Sequence, residues 1–353
     1  MITHNSTIAL IIPDFDYGGE EKRVVFFANN YINYFKEVYV FAPNGKSTAL
    51  LSSRVKHIVV NVRNPKNILT VIKIIKEKKI NVLQGHKRAT LPYLLASEKL
   101  LRNVNTFNFD NIYLKYNWLF KFISPKRIIY LSDVLKNFYH AYYVDHINTT
   151  INMGGEFVSQ IHQTQIHSIK EGLKLEDKFV FLSLGRLSIQ KNHFLLLDSL
   201  SKLNSDKYIC LIAGSGPLEM ELKGRVRELD LGNNIIFLGH RTDIQELLNI
   251  SDAITQTSIF EGFPNVFIEA ASIGIPIVAT NVGSAETLVK ENGILVASQD
   301  IAGFTKALND VMSNYTYFKK NAIELKNSTY IKQFHKDEML KNYISYYESI
   351  QLK

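Results

Sequence analysis

A single cysteine, Cys210, in 353 residues excludes an internal disulfide framework. It lies in the apolar run "YICLIAGSG" with no cationic neighbour, so a buried structural thiol is expected, and such sparse cysteine fits a reducing compartment. Eight prolines and 18 glycines leave no Gly/Pro-rich linker. No apolar run approaches the ~18 residues of a membrane span. The opening "MITHNSTIALIIPDF" lacks the basic region and long apolar stretch of a signal peptide and is read as a first strand. The ten histidines show no His-x3-His-type zinc spacing, and His162 and His167 stand in a polar stretch as solvated residues. The "GSGP" at 214–217 lacks the third glycine of a dinucleotide fingerprint, since Glu219 stands there and Pro217 intrudes, so no NAD site is expected.

Acidic residues are scarce in the first half. Residues 1–155 carry 21 Lys and Arg against 10 Asp and Glu, a net of +11, whereas residues 156–353 carry 20 against 23, a net of −3. An anionic partner for the first half follows: a membrane surface, an acidic substrate or a nucleic acid.

What is present is an alternation of strand and helix patterns, run twice. Strands are expected at 7–13, 38–43, 57–62 and 127–132, with helices over 20–35 and 66–80. The second half repeats the scheme with strands at 178–186, 208–216, 234–240, 252–258, 276–283 and 293–297. Strand periodicity is lost over 152–176. The expectation is α/β with two doubly wound Rossmann-like domains, 1–160 and 170–329, facing across a cleft, and a helix over 330–353 returning to the first domain. In such sheets ligands bind beyond the carboxyl ends of the strands. The residues that fall there are Gly18, Gly19, His86, Gly185, Arg186, Gly214, His240 and the loop around Glu261.

The stretch "EGFPNVFIEAASIGIPIVATNVG" places Glu261 and Glu269 around Gly262, Phe263, Pro264 and Asn265, with Ser258 just before. Pro264 suits the first turn of a helix and Gly274 its end. The amides of Asn265 and Val266 then point out of the helix N-terminus, an anion site suited to phosphate. Glu269 stands about 6 Å further along the same face, where a carboxylate can take two vicinal ribose hydroxyls. Glu261 lies on the other side of the phosphate. A nucleotide-sugar across this turn accounts for both carboxylates.

"SIFEGFPNVFIEAASIGIPIVATNVGSAE" resembles the signature of the retaining GT-B-fold glycosyltransferases that carry the E-x7-E motif (glycosyltransferase family 4, group 1 type), and the likeness is strongest from about 180 to 300. "LGRLSIQKNH" resembles the family's phosphate-binding segment, and "IAGSGPLEMEL" and "NIIFLGH" follow its pattern. "YGGEEKRVV" resembles its N-terminal glycine turn but departs from it at Glu20–Arg23, and "INMGGEF" replaces the usual interdomain turn.

The resemblance implies a hexosyltransferase that retains anomeric configuration and takes a nucleotide-sugar, with UDP favoured. Arg186 and Lys191 would neutralise the leaving diphosphate, Glu261 would orient the donor sugar, and Gly18 and Gly19 would let backbone approach the phosphate. Val266 and Asn265 amides complete the leaving-group site, and Gly185, Gly214, Gly262, Phe263 and Pro264 shape it. His240 would lie near the base through its backbone. His86 would touch the donor sugar or the acceptor hydroxyl, with a satisfied structural histidine as the alternative. Lys87 and Arg88 would meet an anionic acceptor. No metal and no cofactor are expected: the one Asp-x-Asp, Asp14 to Asp16, falls in a loop that varies in this fold.

"KNILTVIKIIKEKKI" carries Lys66, Lys73, Lys76, Lys78 and Lys79 against Glu77. "NIYLKYNWLFKFISPKR" interleaves Tyr113, Tyr116, Trp118, Phe120 and Phe122 with Lys115, Lys121, Lys126 and Arg127. These suit an anionic membrane surface, with a lipid-linked or cell-surface glycan as acceptor in preference to a nucleic acid. The expected setting is cytoplasmic, at the inner face of the membrane. Two rivals are a nucleotide-sugar epimerase of related fold and a non-catalytic partner subunit.

Overall fold

In a computed structural model of the chain, the described residues are 3–16, 18–101, 103–110, 126–140, 147–175, 177–203 and 207–350. The chain divides into two compact units: the residues up to Met153 together with the segment from Asp337 onward, and Gly154–Lys336.

Unit 1 is built on strands β1 (Thr7–Ile11), β2 (Glu37–Ala42), β3 (Lys56–Val59), β4 (Val82–His86), β5 (Asn105–Asp110), β6 (Arg127–Tyr130) and β7 (Ile147–Thr150). All pairings are parallel, in the order β3-β2-β1-β4-β5-β6-β7. Parallel strands need crossovers, and the helices Gly19–Tyr31, Ile68–Glu77 and Leu91–Leu100 supply them. Val71 and Ile75 turn one stripe of the second helix into the core, while its lysines stay in solvent.

Unit 2 carries β8 (Phe179–Leu184), β9 (Tyr208–Ala213), β10 (Ile235–Gly239), β11 (Ala253–Gln256), β12 (Ile277–Thr280) and β13 (Gly293–Val296). They pair in parallel in the order β10-β9-β8-β11-β12-β13. All six residues of β9 are buried, as a strand covered on both faces requires. Asp300 caps the helix Ile301–Ser313 by accepting from Gly303 N at 2.8 Å, and Phe304, Leu308 and Val311 then fall on one buried stripe. Cys210 is buried in this core, and burial pushes its thiol up.

The architecture is α/β of the GT-B class, two doubly wound Rossmann-like units, as the alternation of patterns implied. Three features differ from expectation. The strands stop short of their apolar runs: β8 ends at Leu184, because Gly185 at φ +154 breaks the ladder. Strands β5 and β7, rich in Asn and Thr, carry no apolar run that would mark them. The tail is not one helix. A turn over Thr329–Lys332 is followed by an extended step and then the helix Lys336–Ser349. Gly155 causes the break: its amide donates to Phe334 O at 2.9 Å and its carbonyl accepts from Lys336 N at 3.0 Å. The aromatic residues from Tyr113 to Phe122, with Lys115 and Lys121, lie outside the described residues. No helix among the described residues is long and apolar enough to cross a membrane.

Candidate functional site

In unit 2 the strand order reverses between β8 and β11, and the loops leaving those two strands meet. The loop after β8 runs Gly185, Arg186 and a turn at Ile189–Lys191. The loop after β11 runs Thr257 to Pro264. They are stapled together by hydrogen bonds to the backbone carbonyls of the first loop. Ile259 N donates to Gln190 O at 2.8 Å, and Thr257 Oγ1 donates to Lys191 O at 3.1 Å and Asn192 O at 2.9 Å.

Across this staple Lys191 Nζ donates to Glu261 Oε1 at 2.6 Å. The same oxygen accepts from Gln256 Nε2 at 2.8 Å and Ser258 Oγ at 2.7 Å. Oε2 accepts from no described residue. The side chains of Lys191 and Glu261 are 20% and 12% exposed, so this is a half-enclosed ion pair at the rim of the sheet. Arg186, by contrast, is exposed and makes no hydrogen bond or ion pair among the described residues. One cation is therefore held and one stands ready for an anion.

Glycines let three strand ends converge here. Gly185 and Gly214 both have φ +154, and a Cβ on Gly214 would lie 1.8 Å from Gly185 O. Gly185 N donates to Ala213 O at 3.1 Å and Gly214 N to Gly239 O at 2.8 Å, which brings the exposed His240 alongside. Gly283, at φ +59, packs against the Glu261 backbone so closely that a Cβ would fall 2.1 Å from Glu261 O.

The helix Asn265–Ile273 begins directly after this loop, with Pro264 as its N-cap and Gly274 as its left-handed end at φ +71. Pro264 thus stands one position earlier than the first helical turn. Phe267 N bonds back to Pro264 O at 3.0 Å, while the amides of Asn265 and Val266 have no acceptor among the described residues. The buried Asn265 Oδ1 has no partner either. Glu269 lies one turn along, half-buried. Phe263 does not face a ligand. It is 6% exposed and packs on Phe334 at 5.8 Å, so its role is to anchor the loop on the core. Pro264 and the Val266 side chain are buried as well.

Unit 1 reverses its strand order between β1 and β4. Gly18 caps the helix Gly19–Tyr31 there, with the Glu21 carboxylate where a Cβ of residue 18 would go. Lys87 pairs with Glu21 and reaches Asp14 at 3.5 Å. Asp14 is held bidentately by Arg63 at 2.7 and 3.1 Å, and those cations keep its carboxyl below the usual range, while Asp16 accepts from Lys46 N. The two carboxylates of Asp-x-Asp thus serve different partners.

His86 corrects the expectation of ligand contact. It is fully buried, Nδ1–H donates to Glu20 at 2.7 Å, and Nε2 accepts from Gln84 at 2.8 Å. Gln84 Oε1 in turn accepts from Tyr31 and Tyr347, at 3.1 and 2.6 Å, and Glu20 also pairs with Arg23. Burial holds the imidazole pKa down despite the Glu20 carboxylate, so the ring is neutral. It is the satisfied structural histidine of the two readings. The side chain of Arg88 lies outside the described residues.

Sequence reasoning placed Glu261, Lys191, Arg186, Gly185, Gly214 and the helix start at one edge of one sheet. It missed Gln256 and Gly283 as members, and named Ser258 only as the residue before the turn. Only Gly283 carried a signal, a glycine just past an apolar strand.

Residues 165–328 match the model of the family described as glycosyl transferases group 1. Over this region the chain is similar to the group 1 glycosyl transferases. Among similar proteins is the UDP-Gal:alpha-D-GlcNAc-diphosphoundecaprenol alpha-1,3-galactosyltransferase of Escherichia coli, 27% identical over 272 residues that cover 70% of this chain and 70% of that enzyme. The N-acetylgalactosamine-N,N'-diacetylbacillosaminyl-diphospho-undecaprenol 4-alpha-N-acetylgalactosaminyltransferase of Campylobacter jejuni is 30% identical, over 50% of this chain and 48% of its own. Among solved structures, Anabaena Alr3699/HepE in complex with UDP-glucose superposes with a TM-score of 0.84 at 19% identity, covering 97% of this chain and 99% of that one. A glycosyltransferase from Rickettsia africae ESF-5 gives 0.82 at 20% identity, over 98% of both chains. These two share the fold of this chain.

Proposed function

We propose that the protein is a metal-independent, retaining hexosyltransferase that moves a sugar from a UDP-sugar to a hydroxyl of a lipid-linked or cell-surface glycan. The observation that carries this reading is the Lys191–Glu261 contact across the switch point of the family-matched unit, 2.6 Å long and half-enclosed. A cation and a carboxylate held at a sheet edge, beside helix amides that have no acceptor among the described residues, form a site for an anion next to a polyol. Lys191, Arg186 and the Asn265 and Val266 amides take the diphosphate, with Gly185 and Gly214 allowing close backbone approach. Glu269 takes the ribose hydroxyls, Glu261 the donor sugar, and the backbone at His240 the base.

In the chemical step the bond from the anomeric carbon to the diphosphate oxygen breaks as the acceptor hydroxyl attacks the same face. The acceptor proton passes to the departing phosphate. Fixed cations at that developing charge are worth about 3–4 kcal/mol each. Assignment of UDP and of a lipid-linked acceptor is supported by the substrates named for the Escherichia coli and Campylobacter jejuni relatives.

The acceptor is assigned to unit 1, whose basic surface includes the exposed Lys66, Lys73, Lys76, Lys78 and Lys79 and the 73% exposed Leu69. An apolar residue among lysines suits the anionic face of a membrane. Calorimetric titration of UDP, GDP and ADP, with and without EDTA, tests the donor site. EDTA-insensitive UDP binding is expected; binding of none of the three overturns the reading.

A further inference from the structure

Glu261 is unevenly satisfied. A carboxylate oxygen offers about two lone-pair sites. Oε1 receives three donors, Lys191, Gln256 and Ser258, within 2.6–2.8 Å, while Oε2 receives none from the described residues. The group is not an ordinary exposed acid, being only 12% exposed. Gln256 and Ser258 are themselves buried, at 5% and 0% exposure, on or just beyond β11. Gln256 Nε2 also reaches Ser258 Oγ at 3.1 Å, and Thr280 Oγ1 fixes the loop by donating to Ser258 O at 2.6 Å.

We propose that Gln256 and Ser258 are positioning residues that clamp Glu261 through Oε1, aim Oε2 at the donor sugar, and leave Lys191 free to exchange from the carboxylate to the diphosphate. The inference rests on the donor site proposed above and deepens it. Two of the three donors fill the lone pairs of Oε1. Lys191 is therefore the one that can leave without stranding a half-buried charge. It is also the one on a flexible stem, whereas Gln256 and Ser258 are locked by burial. Without the clamp, Lys191 would be the main partner of Glu261. Binding of a diphosphate would then strip the carboxylate of its only strong donor, and its orientation would be lost when the sugar has to be held. The division of labour is specific: Lys191 serves the phosphate, Gln256 and Ser258 serve Glu261, and the clamp makes the two tasks compatible.

The test uses the full chain with Gln256→Met, which keeps the side-chain length and removes the donor, and with Ser258→Ala. UDP release is followed with UDP-glucose, UDP-galactose, UDP-N-acetylglucosamine and UDP-N-acetylgalactosamine, and dissociation constants are measured for UDP and for each UDP-sugar. The clamp predicts UDP affinity within about threefold of wild type in either variant. It predicts a loss of the extra affinity conferred by the sugar, and turnover about tenfold lower, as expected when a hydrogen bond to a charged group is removed. Unchanged turnover and unchanged sugar-dependent affinity in the Gln256→Met, Ser258→Ala double variant overturn the proposal. So does a parallel loss of UDP affinity, which marks a merely structural role. A wild-type chain that binds no UDP overturns the donor reading itself, and this inference with it.

Discussion

Lys191 and Glu261, 70 residues apart, meet at 2.6 Å because β8 and β11 are neighbours at the point where the sheet changes direction. The loop after one strand brings the ammonium and the loop after the other brings the carboxylate. The pair joins the phosphate half of the proposed donor site to its sugar half.

Removing the cations should cost turnover most. Lys191→Ala and Arg186→Ala are each expected to lower turnover with a UDP-sugar by about 10²–10³-fold, the scale for losing one fixed stabiliser of a developing anion. Lys191→Ala should fold normally, because Gln256 and Ser258 still satisfy Glu261. Steady-state kinetics beside a thermal melt separates the two effects, and wild-type turnover in both variants would remove Lys191 and Arg186 from the leaving-group role.

The two glutamates should divide their effects. Glu269→Ala is expected to weaken UDP binding about tenfold in calorimetry, as the loss of a charge-assisted bond to ribose implies. Glu261→Ala should leave UDP affinity near wild type and lower turnover. Equal effects on both parameters would contradict the assignment.

The glycines at the strand ends should be intolerant of a methyl group. Gly214→Ala places a Cβ 1.8 Å from Gly185 O in a backbone at φ +154. A loss of about 3 kcal/mol is expected, read by urea unfolding. Gly172→Ala is the control: a Cβ there meets nothing within 4 Å, and alanine favours the helix that Gly172 ends. Equal stability of the two variants would show that the strand ends can part.

His193 should make unit 2 acid-sensitive. It is 2% exposed, and its Nδ1 has no partner among the described residues. Burial first, and then the neighbouring Lys191 charge, push the imidazole down to about 4 from 6.5. Between those values the unfolded chain binds the proton and the folded chain does not. The stability held by the neutral ring is therefore complete above pH 6.5 and is lost as pH falls toward 4, by about 3 kcal/mol. Urea unfolding at several pH values should show this slope in the wild type and a flatter one in His193→Phe. The same slope in both would assign it to other groups.

The class of fold and the edge of the sheet that carries the site were legible in the chain itself. Apolar runs buried on both faces mark parallel strands, Pro264 and Gly274 bracket a helix, and Gly185 and Gly214 mark strand ends. Each of these is a local property, set by backbone conformation and the period of burial within a few residues. What the local chain did not carry was partnership. Gln256 reads as a polar residue at the end of a strand, and only the loop folding back makes it a donor to Glu261. His86 reads as a ligand at a strand end. Its enclosure comes from Glu20 on the first helix and from Gln84, which is held in turn by Tyr31 and by Tyr347, the latter from 263 residues away. Phe263 reads as part of the binding turn, yet Phe334 claims it for the core. Hydrogen bonds and ion pairs act over about 3 Å, so which groups share a site depended on strand order and loop closure, and the tertiary structure alone decided it.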